Sequence, residues 1–259
     1  VNSDNILNDA ELARTVRRYK DFPTTDLSFG TVSDYVDSYE NLRELSYYMK
    51  DLKDIQRCWI LKAVLSRFPP GSRLIEIGAG EPMIAHLLHR AGYRITVVDP
   101  YEGAGNGPTQ VEGFKQQFDG VEFVVELFTK DTQGLQDQAY DGCYSISVIE
   151  HIPLEYLGGV FEGVKRFVKP DGLSIHAIDH VMLGAGDAYH LQMLKTVAAA
   201  HGWAEQRIDD LVARAAADPE TYFLSAEGHN RWRGATPYDE FPMRRCISVQ
   251  MVQTVSDMA

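Results

Sequence analysis

Four ionisable side chains crowd into one stretch, IDHVMLGAGDAYH (178–190): Asp179, His180, Asp187 and His190. An imidazole titrates near neutral pH, so it is the natural base for taking a proton from a hydroxyl. An aspartate beside it can fix which ring nitrogen carries the hydrogen. The same residue types can hold a divalent cation that lowers a hydroxyl's pKa, but their spacing is not diagnostic of a metal. A metal is therefore admitted without being favoured, and a polar surface turn with one helix cap is the plain alternative. A second pair, Glu150 and His151, lies in SVIEHI (147–152). His151 there is either a base or a brace for its loop. His176 sits inside an apolar run and is expected to be a hydrogen-bonded core histidine, with His86 and His89 structural or exposed.

Such groups need a ligand to act on, and RLIEIGAGEP (73–82) marks where one would lie. Gly78 and Gly80 leave bare backbone at a strand end, where a Cβ would collide with a ligand or a neighbouring strand. Gly-x-Gly alone is shared by several nucleotide binders. The dinucleotide fingerprint wants a small residue three positions after the second glycine, whereas this chain has Met83 there and Pro82 without an amide hydrogen. A diphosphate would be poorly seated. Asp99 closes RITVVDP about 20 residues beyond the loop, where a carboxylate can hold a ribose diol. Together they point to a ribose-bearing ligand without a pyrophosphate, against a plainer reading as packing glycines and a helix cap.

The elements around these residues follow from periodicity. Leu45, Met49, Leu52, Ile55 and Trp59 recur at helical steps, and FPPG (68–71) ends that helix. From there strands and helices alternate: RLIEI, the helix MIAHLLHRAG, RITVV, VEFVVELF (121–128) and YDGCYSISVI (140–149). The helix PLEYLGGVFEGVKRFV, a turn at KPDG (169–172) and the strand LSIHAID follow. A helical stretch over 189–217 precedes two closing strands, YFLSA and CISVQMVQTV. Strands joined by crossover helices predict a doubly wound, mostly parallel α/β sheet that binds ligands beyond its carboxyl ends. The reading divides the chain into a helical N-terminal cap, 1–70, and a core, 71–259.

Composition narrows the partners. The 259 residues include 25 Lys plus Arg against 37 Asp plus Glu, a formal charge of −12 that repels nucleic-acid backbones. Three cysteines with no CxxC fit a reducing compartment, and no run reaches transmembrane length or forms a signal-peptide core. A cytoplasmic protein with no membrane or nucleic-acid partner is expected, its oligomeric state open.

The stretches EIGAG (76–80), VVD (97–99), YDGCYSISVIEHI (140–152) and VKPDG (168–172), in this order and spacing, resemble the successive motifs of class I S-adenosylmethionine-dependent methyltransferases. The resemblance covers roughly residues 70–180 and implies a Rossmann-like seven-stranded sheet with its last strand antiparallel. It implies S-adenosylmethionine as the cofactor. Glu76, Gly78, Ala79 and Gly80 would surround its methionine part, Asp99 and Pro100 its ribose, and Tyr101 would lie against the adenine. Ser147 would approach the methionyl end. The acid beside the adenine on the third strand is contested between Glu126 and Asp131. SVIEHI resembles the equivalent segment of ubiquinone-pathway O-methyltransferases, with Ser147 where some relatives carry an acid.

The acceptor side is read from residue types alone. Tyr35, Tyr39, Tyr47 and Tyr48 are candidates for a lid. GHNRWRGATPYDEFPMRR (228–245) offers His229, Asn230, Arg231, Trp232, Arg233 and Tyr238, which with Asp187 would suit a polyhydroxylated or carboxylated small molecule. The leading expectation is transfer of a methyl group to a hydroxyl of a sugar, glycan end or polar natural product with a histidine base. Nitrogen or sulfur acceptors, a non-catalytic cofactor-binding subunit and aminopropyl transfer are the alternatives.

Overall fold

The computed structural model describes residues 6–46, 51–103, 107–225 and 245–259. Helix α1 (Asp9–Tyr19) opens with a capping box in which Asn8 and Glu11 satisfy each other's backbone N–H groups. A short strand β1 (Leu27–Phe29) follows, then α2 (Val32–Asn41) with a second capping box, Thr31 with Asp34, then α3 (Arg43–Ser46) and α4 (Leu52–Arg67). The alternating part runs β2 (Arg73–Ile77), α5 (Met83–Arg90), β3 (Arg94–Val98), α6 (Val111–Gln117), β4 (Glu122–Val124) and β5 (Tyr140–Ile146). A 3-10 turn (Ile149–His151) leads to α7 (Leu154–Phe167), β6 (Val168–Leu183), α8 (Asp187–Ala200), α9 (Gln206–Ala217) and β7 (Arg245–Thr254).

The seven strands lie in the order β1-β7-β6-β5-β2-β3-β4. The ladders among β2 to β6 are parallel, while β7 runs antiparallel to both β6 and β1. Strand residues alternate between two cores, as the period of two requires. Leu74, Tyr144, Ile175 and Ala177 pack under α4 and α5, and Ile75, Cys143, Ile178 and Met251 pack under α7, α8 and α9. Both faces are covered, which is what buried parallel strands need.

Five sequence expectations change. YFLSA is not a closing strand over its described residues, 222–225: Thr221 makes only an isolated bridge to Thr31, and Leu224 N–H donates to the Cys246 carbonyl. The sheet edge beside β7 is taken instead by β1, so the N-terminal seventy residues supply a strand as well as helices. Three residues are too few to show a period, and β1 has no sequence signal. VEFVVELF shortens to β4, because Val125 and Leu127 are exposed. KPDG is not a separate turn but a wide bulge inside β6, between the pairs Tyr140↔Val168 and Gly142↔Leu173. The helical stretch after the fifth strand is two helices broken at His201–Glu205.

The β5–β6 ladder is tight at this bulge. A Cβ on Gly142 would stand 2.3 Å from Phe68 Cζ and 2.7 Å from the Leu173 carbonyl oxygen. Gly142→Ala is expected to lower stability by about 1–3 kcal/mol, the scale of overpacking a filled core, as read by chemical denaturation.

Candidate functional site

Strand β2 ends in a sharp bend because Gly78 (φ +65°) and Gly80 (φ +56°) both take the left-handed conformation. Gly78 also has no room for a side chain, since a Cβ would lie 2.5 Å from Val148 Cγ1. Asp99, just past β3, ties the bend down: its Oδ2 accepts the Gly80 N–H at 2.9 Å and its Oδ1 the Tyr101 N–H at 2.7 Å. Each carboxylate oxygen keeps a further lone pair for a diol. Glu76 is buried behind the bend, where the Tyr144 hydroxyl donates to its Oε2 at 3.1 Å. Burial pushes its carboxyl up to about 8, with Tyr144 and the Ala85 N–H opposing.

Tyr101 and Ser147 hold positive φ without being glycine, +52° and +53°, at the ends of β3 and β5. Such strained backbone clusters where a fold positions a ligand. The Tyr101 ring is buried against Phe114 and Phe123, and its hydroxyl has no protein partner. Ala79 packs on the α4–α5 core, and Pro100 follows Asp99 at the rim. Glu126 is exposed and accepts the Gln133 N–H, while Asp131 takes part in a turn with Thr129, so neither stands out as the acid beside an adenine.

The ends of β5 and β6 bring the second set together. The Ser147 N–H donates to the Ala177 carbonyl, and the following 3-10 turn sends Glu150 inward and His151 outward, their side chains 2% and 40% exposed. Asp179 directs its carboxylate to α4, where Gln56 Nε2 donates to it at 2.8 Å. His190 on α8 meets the backbone carbonyl of Asp179 at 3.0 Å through Nδ1. That contact places the ring hydrogen on Nδ1 and leaves Nε2 with a lone pair. The carbonyl of Asp179, not its carboxylate, therefore fixes the tautomer.

His180 lies 6.2 Å from His190, ring to ring, fully buried with neither nitrogen partnered. Burial, reinforced by His190, pushes its imidazole down to about 3. Asp187, the first residue of α8, accepts the N–H groups of Gly184 and Ala188. His176 is a core histidine clamped between the hydroxyls of Ser145 and Ser174 at 2.7 and 2.6 Å. Gln56 escaped the sequence reading because α4 reads as an ordinary amphipathic helix. Tyr35 stacks on Tyr222 at 4.9 Å beside the cluster of Leu52, Ile55 and Val181, whereas Tyr39 is exposed. Tyr47, Tyr48, His229, Asn230, Arg231, Trp232, Arg233 and Tyr238 lie outside the described residues. A concavity of about 510 Å³ on the helical cap, lined by Tyr19, Phe22, Asp37 and Lys62, touches none of the bend residues.

These buried groups set a pH profile for stability. His176, His180 and His201, held down to about 3, 3 and 4 by burial, stay neutral in the fold while the unfolded chain protonates them below about pH 6.5. Stability therefore falls as pH drops below that point. Glu76 and Glu150, both raised to about 8, keep their protons in the fold while the unfolded chain loses them above about pH 4.5. Their contribution falls as pH rises towards 8. The three histidines outweigh the two glutamates between the lower limits, so the melting temperature is expected to peak near pH 6–7 and decline on both sides in a thermal-denaturation series.

Among the described residues no group of three or more His, Cys, Asp or Glu side chains is arranged to hold a metal ion, and no helix is long and apolar enough to cross a membrane. Residues 75–176 match a family described as methyltransferase domain. Among solved structures, the fold is similar to that of a geranyl diphosphate methyltransferase in complex with its diphosphate and sinefungin, at TM-score 0.50 and 14% identity over 95% of this chain and 99% of that one. A protein of Anabaena variabilis described as a methyltransferase of an antibiotic biosynthesis pathway matches at TM-score 0.40 and 19% identity, covering 61% of this chain. This chain spans 62% of that protein's length. The phosphoethanolamine N-methyltransferase 2 of Haemonchus contortus matches at TM-score 0.48 and 13% identity, over 97% of this chain and 75% of that one. No curated protein sequence matches the chain.

Proposed function

We propose that this chain, a class I S-adenosylmethionine-dependent methyltransferase by fold and by its matched domain, moves a methyl group onto a hydroxyl of a small polar acceptor such as a sugar, a glycan end or a natural product. S-adenosylmethionine, when bound, supplies an electrophilic methyl on a sulfonium. The residues fit it: Gly80 leaves space at the bend that a Cβ would fill, its nearest neighbour there being Pro108 Cδ at 3.6 Å, and Asp99 offers lone pairs at the rim. In this reading Glu76, Gly78, Ala79 and Gly80 hold the methionine part. Asp99, Pro100 and Tyr101 hold the ribose and adenine, and Ser147 faces the methionyl end.

The single observation that carries the hydroxyl reading is the His190 tautomer. With its Nδ1 hydrogen committed to the Asp179 carbonyl, His190 carries its lone pair on Nε2, the ring nitrogen that would take the hydroxyl proton as the oxygen bonds to carbon. A nitrogen or sulfur acceptor would need less base chemistry. His180 stands behind His190, and His151 at the rim is the reserve base. Asp187 and the residues Tyr47, Arg231, Trp232, Arg233 and Tyr238 are assigned to the acceptor. Residues 1–70 are assigned the part of a cap beside the 71–259 core, to which their β1 and α4 also contribute. Buried cysteines outside any disulfide support a cytoplasmic setting. A mass-shift screen of hydroxylated acceptors with the labelled cofactor tests the reading: gain of one labelled methyl on oxygen supports it, and gain only on nitrogen or sulfur overturns it.

A further inference from the structure

The strand pairing at the end of β6 explains why a main-chain carbonyl reaches His190 at all. Main-chain groups along a strand point alternately to its two neighbours. Ser248, opposite Asp179 on β7, turns its carbonyl away from β6 to the Gly30 N–H just past β1. The main chain of Asp179 therefore faces the β5 side, like that of Ala177 two residues earlier. The Ala177 carbonyl accepts the Ser147 N–H, and β5 has already ended at Ile146. Ser147, at φ +53°, then turns the chain toward the 3-10 helix, one rung short of Asp179. That turn leaves the Asp179 carbonyl to α8, and His190 Nδ1 meets it at 3.0 Å. Past this rung β6 is laddered to β7 alone, so a side-chain anchor matters more here than inside the sheet. Asp179 has one: its carboxylate is buried on the α4 face, where Gln56 Nε2 donates to Oδ1 at 2.8 Å. One residue thus joins two helices on opposite faces of the sheet, α4 through its side chain and α8 through its carbonyl.

We propose that Gln56 is a positioning residue for the base: by holding the Asp179 carboxylate it holds the carbonyl that selects the His190 tautomer. The inference rests on the methyl-transfer reading above for what His190 does, whereas the tautomer is a property of the folded chain. Gln56 is itself fully buried on α4, so its amide has little room to follow a displaced partner. Without that amide the Asp179 carboxylate loses a donor in a buried place, and the end of β6 moves to regain one. The carbonyl then leaves the His190 ring. Released from that acceptor, the ring hydrogen is no longer kept on Nδ1, and the Nε2–H form, the commoner one in water, takes over. In that form Nε2 has no lone pair to take a proton. The position of a cap helix is in this way carried to the base.

The test reads the tautomer directly. The full chain is labelled with nitrogen-15 histidine, and long-range proton–nitrogen correlations are recorded at neutral pH, the His190 signals being identified by their loss in His190→Gln. The parent chain is expected to show the hydrogen on Nδ1. Gln56→Leu, or Gln56→Met should the first variant not fold, is expected to lose that pattern and gain the Nε2–H one. His176, clamped by Ser145 and Ser174, keeps its own signals and reports that the sheet is intact. Asp179→Ala is expected to act like Gln56→Leu, whereas Asp179→Asn, which keeps an oxygen for the Gln56 amide, retains the parent pattern. A parent His190 with its hydrogen on Nε2, an unchanged pattern in Gln56→Leu, or equal losses in Asp179→Asn and Asp179→Ala would each overturn the proposal. Turnover of His190→Ala reports separately on the methyl-transfer reading: an unaffected rate there removes the base and leaves the tautomer result standing.

Discussion

Replacing Asp99 by alanine is expected to weaken binding of S-adenosylhomocysteine at least ~100-fold in calorimetry. The carboxylate makes two backbone hydrogen bonds now, to Gly80 and Tyr101, and offers its remaining lone pairs to the ribose. Hydrogen bonds to a charged group contribute about 1.5–3 kcal/mol each, so losing two to the ligand is enough for that fall. The variant also frees the bend, because the Gly80 and Tyr101 N–H groups lose their acceptor. Asp99→Asn separates the two effects: its amide oxygen can keep one brace while the charge is gone. A large loss in both variants, with the unfolding transition kept, assigns Asp99 to the ligand. Near-normal affinity in either would remove the ribose assignment.

The second large effect is expected at His190. His190→Ala should slow turnover by about 10²–10⁴-fold, the range for losing a general base, with affinity for the cofactor product unchanged. His180→Ala supplies the contrast. That ring is buried and unpartnered 6.2 Å behind His190. An equal loss of turnover there would make the two histidines a relay. A change confined to stability would leave His190 as the base. Full activity in His190→Ala would move the base to His151 or show that none is needed.

Which parts were legible follows from how much local sequence each part uses. The bend was legible because EIGAG and VVD are short, contiguous signals whose glycines and acid do one job each. His176 was placed in the core from its apolar neighbours alone, and two serine hydroxyls hold it there. What failed was non-local. β1 is three residues that become a strand only because β7 presents an edge to them. YFLSA has strand-like residues, but the edge of β7 that it was expected to join is taken by β1. Gln56 carries no signal on α4, since its role depends on Asp179, which is 123 positions away. In IDHVMLGAGDAYH the composition suggested an aspartate–histidine pair, but strand alternation sends the Asp179 carboxylate to the α4 face. Its carbonyl alone remains for His190.

The most direct measurement is a crystal structure of the chain with S-adenosylhomocysteine. The account predicts the ribose hydroxyls on Asp99, the ligand backbone against Gly78 and Gly80, and the sulfur facing the space between Ser147 and the His190 Nε2. A ligand seated away from the bend, or a sulfur with His190 turned from it and no other base in reach, would contradict it.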